Sequence, residues 1–223
     1  LVTLNDSVAF RDNFLKGTKL RVRYAGGEQA VLYVDCFLKE FGPALPPFST
    51  KEPDPRKYKP DSSFIIRGDE GWFDLVMPEK GFFHLKAIET QNHGLTLHTS
   101  DESFPGVSSA TEMINCARYI MSQEEYDKCR NAADRKAAID DFWLNIGGGS
   151  NERARELLKR YYGRVREANK HYSSYTQGWK TDRGMIYIIF GKPVNIYKSR
   201  KDEIWVYGNE ANPATLRFVF NKT

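Results

Sequence analysis

Apolar and polar side chains alternate along several short stretches of the first hundred residues. The stretch 18–24 places three apolar side chains on one side and three basic side chains on the other: Leu20, Val22 and Tyr24 against Lys19, Arg21 and Arg23. This period of two is typical of a half-buried strand. Turn residues separate further strands predicted at 30–37, 63–67, 72–77, 82–87 and around Leu95 and Leu97. Together they predict an antiparallel β-sandwich-like domain over residues 1–100.

One segment of this domain does not fit a strand. Residues 43–60 contain six of the ten prolines, mixed with charged and polar residues. Proline fixes φ and removes a backbone donor, so we expect an extended strap here.

The hydrophobic period changes to that of a helix after the first hundred residues. Residues 103–115 look irregular, but Ser122 and Glu125 have the spacing of a capping box and predict a helix to about Arg130. Asp134 begins a second helix that ends at the glycines 147–149, and a third runs from residue 150 or 151 to about Tyr172. The third helix has one apolar stripe, formed by Ala154, Leu157, Leu158, Tyr161, Val165, Ala168 and Tyr172.

The last part of the chain returns to a strand pattern. Strands are predicted at 185–190, 204–207 and 216–220, with a break at Gly191. A small antiparallel sheet packed on the long helix is the simplest arrangement. The fold class is therefore α+β, with a second, α+β domain over residues 101–223.

A short glycine-bounded motif precedes the predicted strand at 185–190. Its residues are Gly178, Trp179, Thr181, Asp182, Arg183 and Gly184. The segment resembles the signature of the GWxTD family, and the resemblance extends to Phe142-Trp143, Tyr161-Tyr162, Ala168-Asn169, Gly191, Pro193 and Trp205. It implies an exported bacterial envelope protein, often a lipoprotein or part of a larger chain, with no chemistry assigned to the motif.

The motif residues themselves favour a structural role. Gly178 permits a backbone angle or a close approach denied to other residues, Trp179 offers a large anchor, and Asp182 is suited to an Asx-type turn. Thr181 and Gly184 complete a tight entry into the following strand. We expect a helix-to-strand connection with Trp179 buried against the long helix, near Tyr161, Val165 or Tyr172. The alternative is a binding role in which Trp179 and Asp182 face a groove.

Charge is distributed unevenly along the chain. The formal net charge is +4, but residues 151–200 hold twelve Lys and Arg against four Asp and Glu, a net of +8. The third helix carries seven of these cations off its apolar stripe: Arg153, Arg155, Lys159, Arg160, Arg164, Arg166 and Lys170. An ordinary solvated face is favoured, and an anionic protein, lipid or glycan surface is the alternative. Sequence-specific nucleic-acid binding is not favoured.

Candidate chemistry is sparse. No nucleophile motif or phosphate loop is present, so no catalytic residue and no cofactor is predicted. The histidines at 84, 93, 98 and 171 lack metal-ligand spacing, although His84 and His98 can share one side of a sheet. The three cysteines are expected to be buried free thiols, with a Cys116–Cys129 bridge as the alternative in an oxidising compartment.

These observations favour a non-enzymatic interaction or scaffold protein of a bacterial envelope complex. A glycan or cell-wall binding module using Trp72, Trp179 or Trp205 is the alternative, and an unrecognised enzyme is the third. No apolar run reaches the roughly 20 residues of a membrane helix. The resemblance implies a periplasmic or outer-membrane associated location, peripheral or lipid-anchored rather than membrane-spanning, with envelope proteins as partners.

Overall fold

The computed structural model describes residues 2–4, 7–26, 30–39, 42–45, 59–91, 93–174, 176–209 and 212–221. These residues form two compact units. The first comprises Leu1–Gly42, Phe48–Phe104 and Ser174–Thr176, and the second comprises Pro43–Pro47, Pro105–Ser173 and Gln177–Thr223. Most of the predicted strap at 43–60 lies outside the described residues.

The described residues of the first unit form nine strands in two sheets. The strands are β1 (Val2–Leu4), β2 (Ser7–Val8), β3 (Asn13–Leu15), β4 (Lys19–Arg23), β5 (Val31–Phe37), β6 (Ser62–Arg67), β7 (Trp72–Val76), β8 (Gly81–Lys86) and β9 (Leu95–Ser100). One sheet has the order β2-β1-β4-β7 and the other the order β3-β9-β8-β5-β6. All pairs are antiparallel except β3 with β9, which is parallel.

One hydrophobic core joins the two sheets of this unit. The first sheet contributes Leu20, Val22, Phe73 and Leu75, and the second contributes residues such as Val34, Phe83 and Leu97. In β4 and β7, buried residues alternate with exposed or partly exposed ones, as the sequence pattern predicts. The apolar side chains of both strands therefore point into the core. The predicted sandwich-like arrangement is confirmed.

The second unit begins with four helices. They are α1 (Ala110–Ala117), α2 (Gln123–Asn131), α3 (Arg135–Ile146) and α4 (Asn151–Tyr172). The predicted capping box is present, since Ser122 Oγ accepts from the backbone N–H of Glu125 and the Glu125 carboxylate accepts from that of Ser122. Helix α1 occupies a stretch predicted to be irregular.

The prediction of a strand at 185–190 was wrong. After a short 3₁₀ turn, Gly178–Lys180, the chain forms helix α5 (Asp182–Phe190). The apolar, partly β-branched run favoured a strand by local propensity. A helical cap at its start and burial of Met185, Ile186 and Ile188 override that preference.

A three-stranded antiparallel sheet completes the second unit. Its strands are β10 (Asn195–Lys198), β11 (Asp202–Tyr207) and β12 (Leu216–Asn221), with β11 in the centre. The fully buried Trp205 on β11 packs against Tyr172 of α4, with ring centroids 5.2 Å apart, and shares a core cluster with Met185 and Ile186 of α5. The predicted packing of this sheet on the long helix is confirmed, with α5 added to it.

All three cysteines are buried free thiols. Burial raises the pKa of Cys36, Cys116 and Cys129, which holds them in the unreactive protonated form.

Candidate functional site

The glycine-bounded motif forms the junction between α4 and α5. Its first residues make the 3₁₀ turn Gly178–Lys180, and Thr181 then caps α5. The junction therefore joins two helices and is not the helix-to-strand connection expected from the sequence. Each motif position has a definable contact.

Gly178 and Gly184 allow the backbone to pack without side chains between the segments. A Cβ on Gly178 would overlap the carbonyl oxygen of Ala168 in α4, and a Cβ on Gly184 would overlap the carbonyl oxygen of Gly178. Neither glycine has a positive φ, so the requirement is one of space. The two glycines thus allow the start of α5, the turn and α4 to lie in direct contact.

Asn169 of α4 fixes the position of the 3₁₀ turn Gly178–Lys180 through hydrogen bonds. Its side chain is buried, donates from Nδ2 to the Pro105 carbonyl at 2.9 Å, and accepts at Oδ1 from the Trp179 N–H at 3.1 Å. Ser173 extends this link by accepting from the Gly178 N–H at 2.8 Å. Sequence reasoning gave Asn169 no role, although a polar residue beside the apolar stripe of a helix is a usable signal of a buried hydrogen bond.

Trp179 is a core residue. Its side chain is only 5% exposed and belongs to the same hydrophobic cluster as Tyr161 and Val165 of α4. The indole Nε1 donates to Gln177 Oε1 at 2.8 Å, and the Tyr119 ring lies edge-on at 6.1 Å. The predicted burial against the long helix is confirmed.

Thr181, and not Asp182, forms the turn into the next element. Thr181 Oγ1 accepts from the Gly184 N–H at 3.0 Å and donates to the Gly178 carbonyl at 2.8 Å. Asp182 is the exposed first residue of α5, where a negative charge is favourable beside the helix N-terminus. The Asx-type turn predicted at Asp182 was therefore wrong.

Arg183 connects α5 to the C-terminal sheet. Its Nη1 lies 3.3 Å from the carboxylate of Glu203, a buried residue of β11. The same carboxylate accepts from Trp205 Nε1 at 2.8 Å and lies 3.7 Å from Lys198 Nζ. Glu203 was missed in the sequence, although an acid on the apolar side of a strand indicates a buried partner for a nearby cation.

Of the three tryptophans proposed as glycan contacts, two are buried and Trp72 is partly exposed. Trp179 is 5% exposed and Trp205 is fully buried, whereas Trp72 of β7 is partly exposed. Trp72 lies beside Arg21 and Arg23 of β4, within cation–π distance of both guanidinium groups. A cavity of about 280 Å³ opens next to Arg21 on the same face.

The basic face of α4 is solvent-exposed over most of its length. Arg164 is the exception, because its Nη1 donates to the carbonyls of Ile188 and Ile189 and so caps the C-terminal end of α5. An open groove of about 530 Å³ runs along this face and mixes cations with Glu156 and Glu167. This mixture is typical of a solvated helix surface.

His84 and His98 lie on one face of the second sheet, as the sequence allowed. His98 stacks on Phe82 with ring centroids 4.2 Å apart, and His84 Nδ1 lies 2.9 Å from Thr96 Oγ1. Burial lowers the pKa of His98 to about 4, so the ring is neutral near pH 7. In the part of the chain that the structure describes, no group of three His, Cys, Asp or Glu residues is placed to hold a metal ion.

A charged pair that the sequence did not indicate lies on the same face. Lys86 is buried, and its Nζ lies 2.6 Å from the Asp35 carboxylate and 2.8 Å from the Glu89 carbonyl. Burial alone would raise the pKa of Asp35, but hydrogen bonds from Lys86 and Ser63 lower it below its usual value. The lowered pKa keeps the Asp35 carboxylate charged near neutral pH, and it accepts from Lys86 and Ser63 as a structural ion pair requires.

Fold and site together define an α+β protein of two compact units with a tight helix-to-helix junction built from glycine, tryptophan and threonine. The chain belongs to the GWxTD domain family, whose model matches residues 81–223, more than half of its length. The match includes β8 and β9 of the first unit. No curated protein and no solved structure matches the chain. Among the described residues, no helix is long and apolar enough to cross a membrane.

Proposed function

We propose that the chain is a non-enzymatic interaction or scaffold protein of a bacterial cell-envelope complex. In this proposal it is exported, periplasmic or outer-membrane associated, and held there by peripheral contacts or a lipid anchor. The single observation that carries the proposal is an apolar row on the outer face of the C-terminal sheet. The family's motif adds support, because its contacts build the core and leave the surface of the module for binding.

The apolar row crosses all three strands of the sheet. Tyr197 of β10 pairs with Ile204 of β11, which pairs in turn with Val219 of β12. Their side chains point away from the Trp205 side of the sheet, because neighbouring residues of a strand face opposite ways. Tyr197 is 51% exposed and Val219 is 58% exposed. An apolar strip of this kind is typical of the centre of a protein contact.

Charge around the row indicates the kind of partner. The turn between β10 and β11 carries Arg200 and Lys201. On β12, Arg217 is two positions before Val219 and therefore lies on the same side of the strand. Protein interfaces commonly surround an apolar centre with a polar rim, and complementary charge sets the choice of partner. We therefore propose an envelope protein whose contact surface is apolar at the centre and acidic at its rim.

Paired variants test this function. The full chain is purified from native envelopes as wild type, as Val219→Asp and as Val76→Asp, the last being a matched control because Val76 on β7 is 56% exposed. We expect one stoichiometric partner to co-purify with wild type and with the control and to be lost from Val219→Asp. Equal recovery from all three proteins, or no partner with any of them, would overturn the proposed surface.

Cell fractionation tests the proposed location. The native protein is expected in the periplasmic or membrane fraction and to be released from membranes by high salt, if peripheral, or by detergent, if lipid-anchored. Recovery in the cytoplasmic fraction would contradict export.

A further inference from the structure

Strand β6 forms an open edge of the second sheet in the first unit. It stands last in the order β3-β9-β8-β5-β6, so no strand among the described residues lies along its outer side. An open edge presents backbone N–H and C=O groups that can pair with a strand of another chain. Proteins block most such edges with a very short strand, a charged side chain or a proline. The edges of this unit differ in how they are blocked.

The described residues of the first unit have four edge strands, and β6 is the one that is not blocked. Strands β2 and β3 have only two and three residues, and β7 carries the exposed Asp74 at its centre. By contrast, β6 has six residues, contains no proline and carries its only charge, Arg67, at one end. Two of its apolar side chains are exposed, Phe64 by 37% and Ile65 by 54%. Strand β6 is therefore the edge best suited to pairing.

The hydrogen bonds between β5 and β6 show which backbone groups of β6 face the open side. The Gly68 N–H donates to the Ala30 carbonyl at 3.0 Å, and this pair continues the register of the two strands. Hydrogen-bonded and non-bonded pairs alternate along antiparallel strands. The backbone groups of Ser63, Ile65 and Arg67 therefore point away from β5, with Ile65 in the middle of the set.

We propose that two copies of the chain pair through β6, antiparallel and with Ile65 on the two-fold axis. Each Ile65 then exchanges both backbone hydrogen bonds with Ile65 of the second copy, and Ser63 exchanges them with Arg67. On the core side, Phe64 of one copy lies opposite Ile66 of the other, so each copy covers the exposed apolar edge of the other core. The two five-stranded sheets become one continuous sheet.

Charge favours a second copy as the partner and this register of pairing. Asp35 of β5 lies directly beside Ser63, whose Oγ donates to its carboxylate at 2.8 Å. In the proposed register, Arg67 of the second copy stands beside Ser63 on the same face, and its long side chain reaches the Asp35 carboxylate. The carboxylate has lone pairs to accept this donor and still keep its ion pair with Lys86. Self-pairing of β7 about its centre would instead place two Asp74 carboxylates opposite each other.

Sedimentation velocity of the full chain measures the oligomeric state between about 1 and about 200 µM. Pairing of one six-residue strand gives an interface at the small end of the range, so we expect a dimer with a Kd of about 10 µM. Ile65→Lys places two like charges opposite each other on the axis and should weaken the dimer at least about tenfold. Ile65→Glu should have the same effect for the same reason.

Mixing the two variants gives the sharpest test, because only a residue on a two-fold axis faces its own copy. An equimolar mixture of Ile65→Lys and Ile65→Glu should form a heterodimer under conditions in which neither protein dimerises alone. Val76→Lys is the matched control, since Val76 on the β7 edge is 56% exposed and should leave the dimer intact. Circular dichroism of dilute samples should give nearly the same thermal midpoint for every variant, because both positions are exposed.

Three results would each overturn the pairing: a wild-type monomer at about 200 µM, a dimer that survives Ile65→Lys, or no heterodimer in the mixture. Val219→Asp, which tests the proposed envelope contact, should dimerise as wild type does. A dimer lost in Val219→Asp and kept in Ile65→Lys would move the self-contact to the C-terminal sheet and contradict the inference. The two surfaces are tested separately, because β6 belongs to the first unit and Val219 to the second.

Discussion

Replacing Trp179 by alanine is the most informative single perturbation of the family motif. A large aromatic side chain buries about 150–250 Å². At roughly 25 cal/mol per Å² this corresponds to about 4–6 kcal/mol, an upper estimate since the unfolded chain also buries part of that area. Trp179 is 5% exposed and makes an edge contact with Tyr119, so nearly all of its side-chain area is removed from water in the folded protein. We expect Trp179→Ala to lower the free energy of unfolding by about 3–5 kcal/mol.

Urea denaturation followed by circular dichroism at 222 nm measures this loss, because all the described helices belong to the second unit. Trp72→Ala controls for the loss of an indole outside the second unit, since it removes the same side chain from a partly exposed strand position of the first unit and should leave the transition at 222 nm unchanged within about 1 kcal/mol. A Trp179→Ala protein within about 1 kcal/mol of wild type would refute the structural role of the motif. It would favour instead a tryptophan that contacts a partner.

Three further predictions concern stability. Thr181→Ala removes the cap of α5 and should cost about 1 kcal/mol in the same urea titration, whereas Thr181→Ser should cost much less; equal costs would contradict the capping hydrogen bond. Gly184→Ala forces the backbone away from the Gly178 carbonyl and should cost about 1–3 kcal/mol or more, and a neutral result would contradict that close contact. The lowered pKa of His98, about 4, means that the unfolded chain takes up a proton first as the pH falls, so stability decreases from about pH 6.5 towards pH 4 by up to about 3 kcal/mol. Hydrogen exchange in β8 and β9 should show this loss in wild type and not in His98→Gln, and identical pH profiles would contradict it.

Local patterns were sufficient for most of the fold. The period of two in β4 and β7 and the capping box at Ser122 predict elements that the structure contains, because each depends on neighbours in sequence. Helix α1 was not predicted, although Ser109 and Glu112 have the same three-residue spacing as Ser122 and Glu125. In the structure, the Ser109 side chain caps α1 by accepting from the Glu112 N–H. Helix α5 was different, since its apolar run favours a strand, and the Thr181 cap together with burial against other elements makes it a helix.

The candidate site was also predicted only in part. The need for glycine at Gly178 and for burial at Trp179 follows from residue type, and both were predicted. The partners Asn169 and Glu203 were not, because they meet the motif only after α4, the junction and β11 have packed. Asp182 was assigned the turn that Thr181 makes, since both side chains can accept from a nearby backbone N–H and spacing alone does not decide between them.

Site-specific photocrosslinking in living cells tests the proposed function most directly. A photoreactive residue at position 219 lies on the apolar row of the C-terminal sheet, and one at position 76 lies on a comparably exposed strand of the first unit. The account predicts one discrete crosslinked envelope protein from position 219, absent from position 76 and lost when Tyr197 is replaced by Asp. The same products from both positions, or none from position 219 in the native envelope, would contradict an interaction role for this surface.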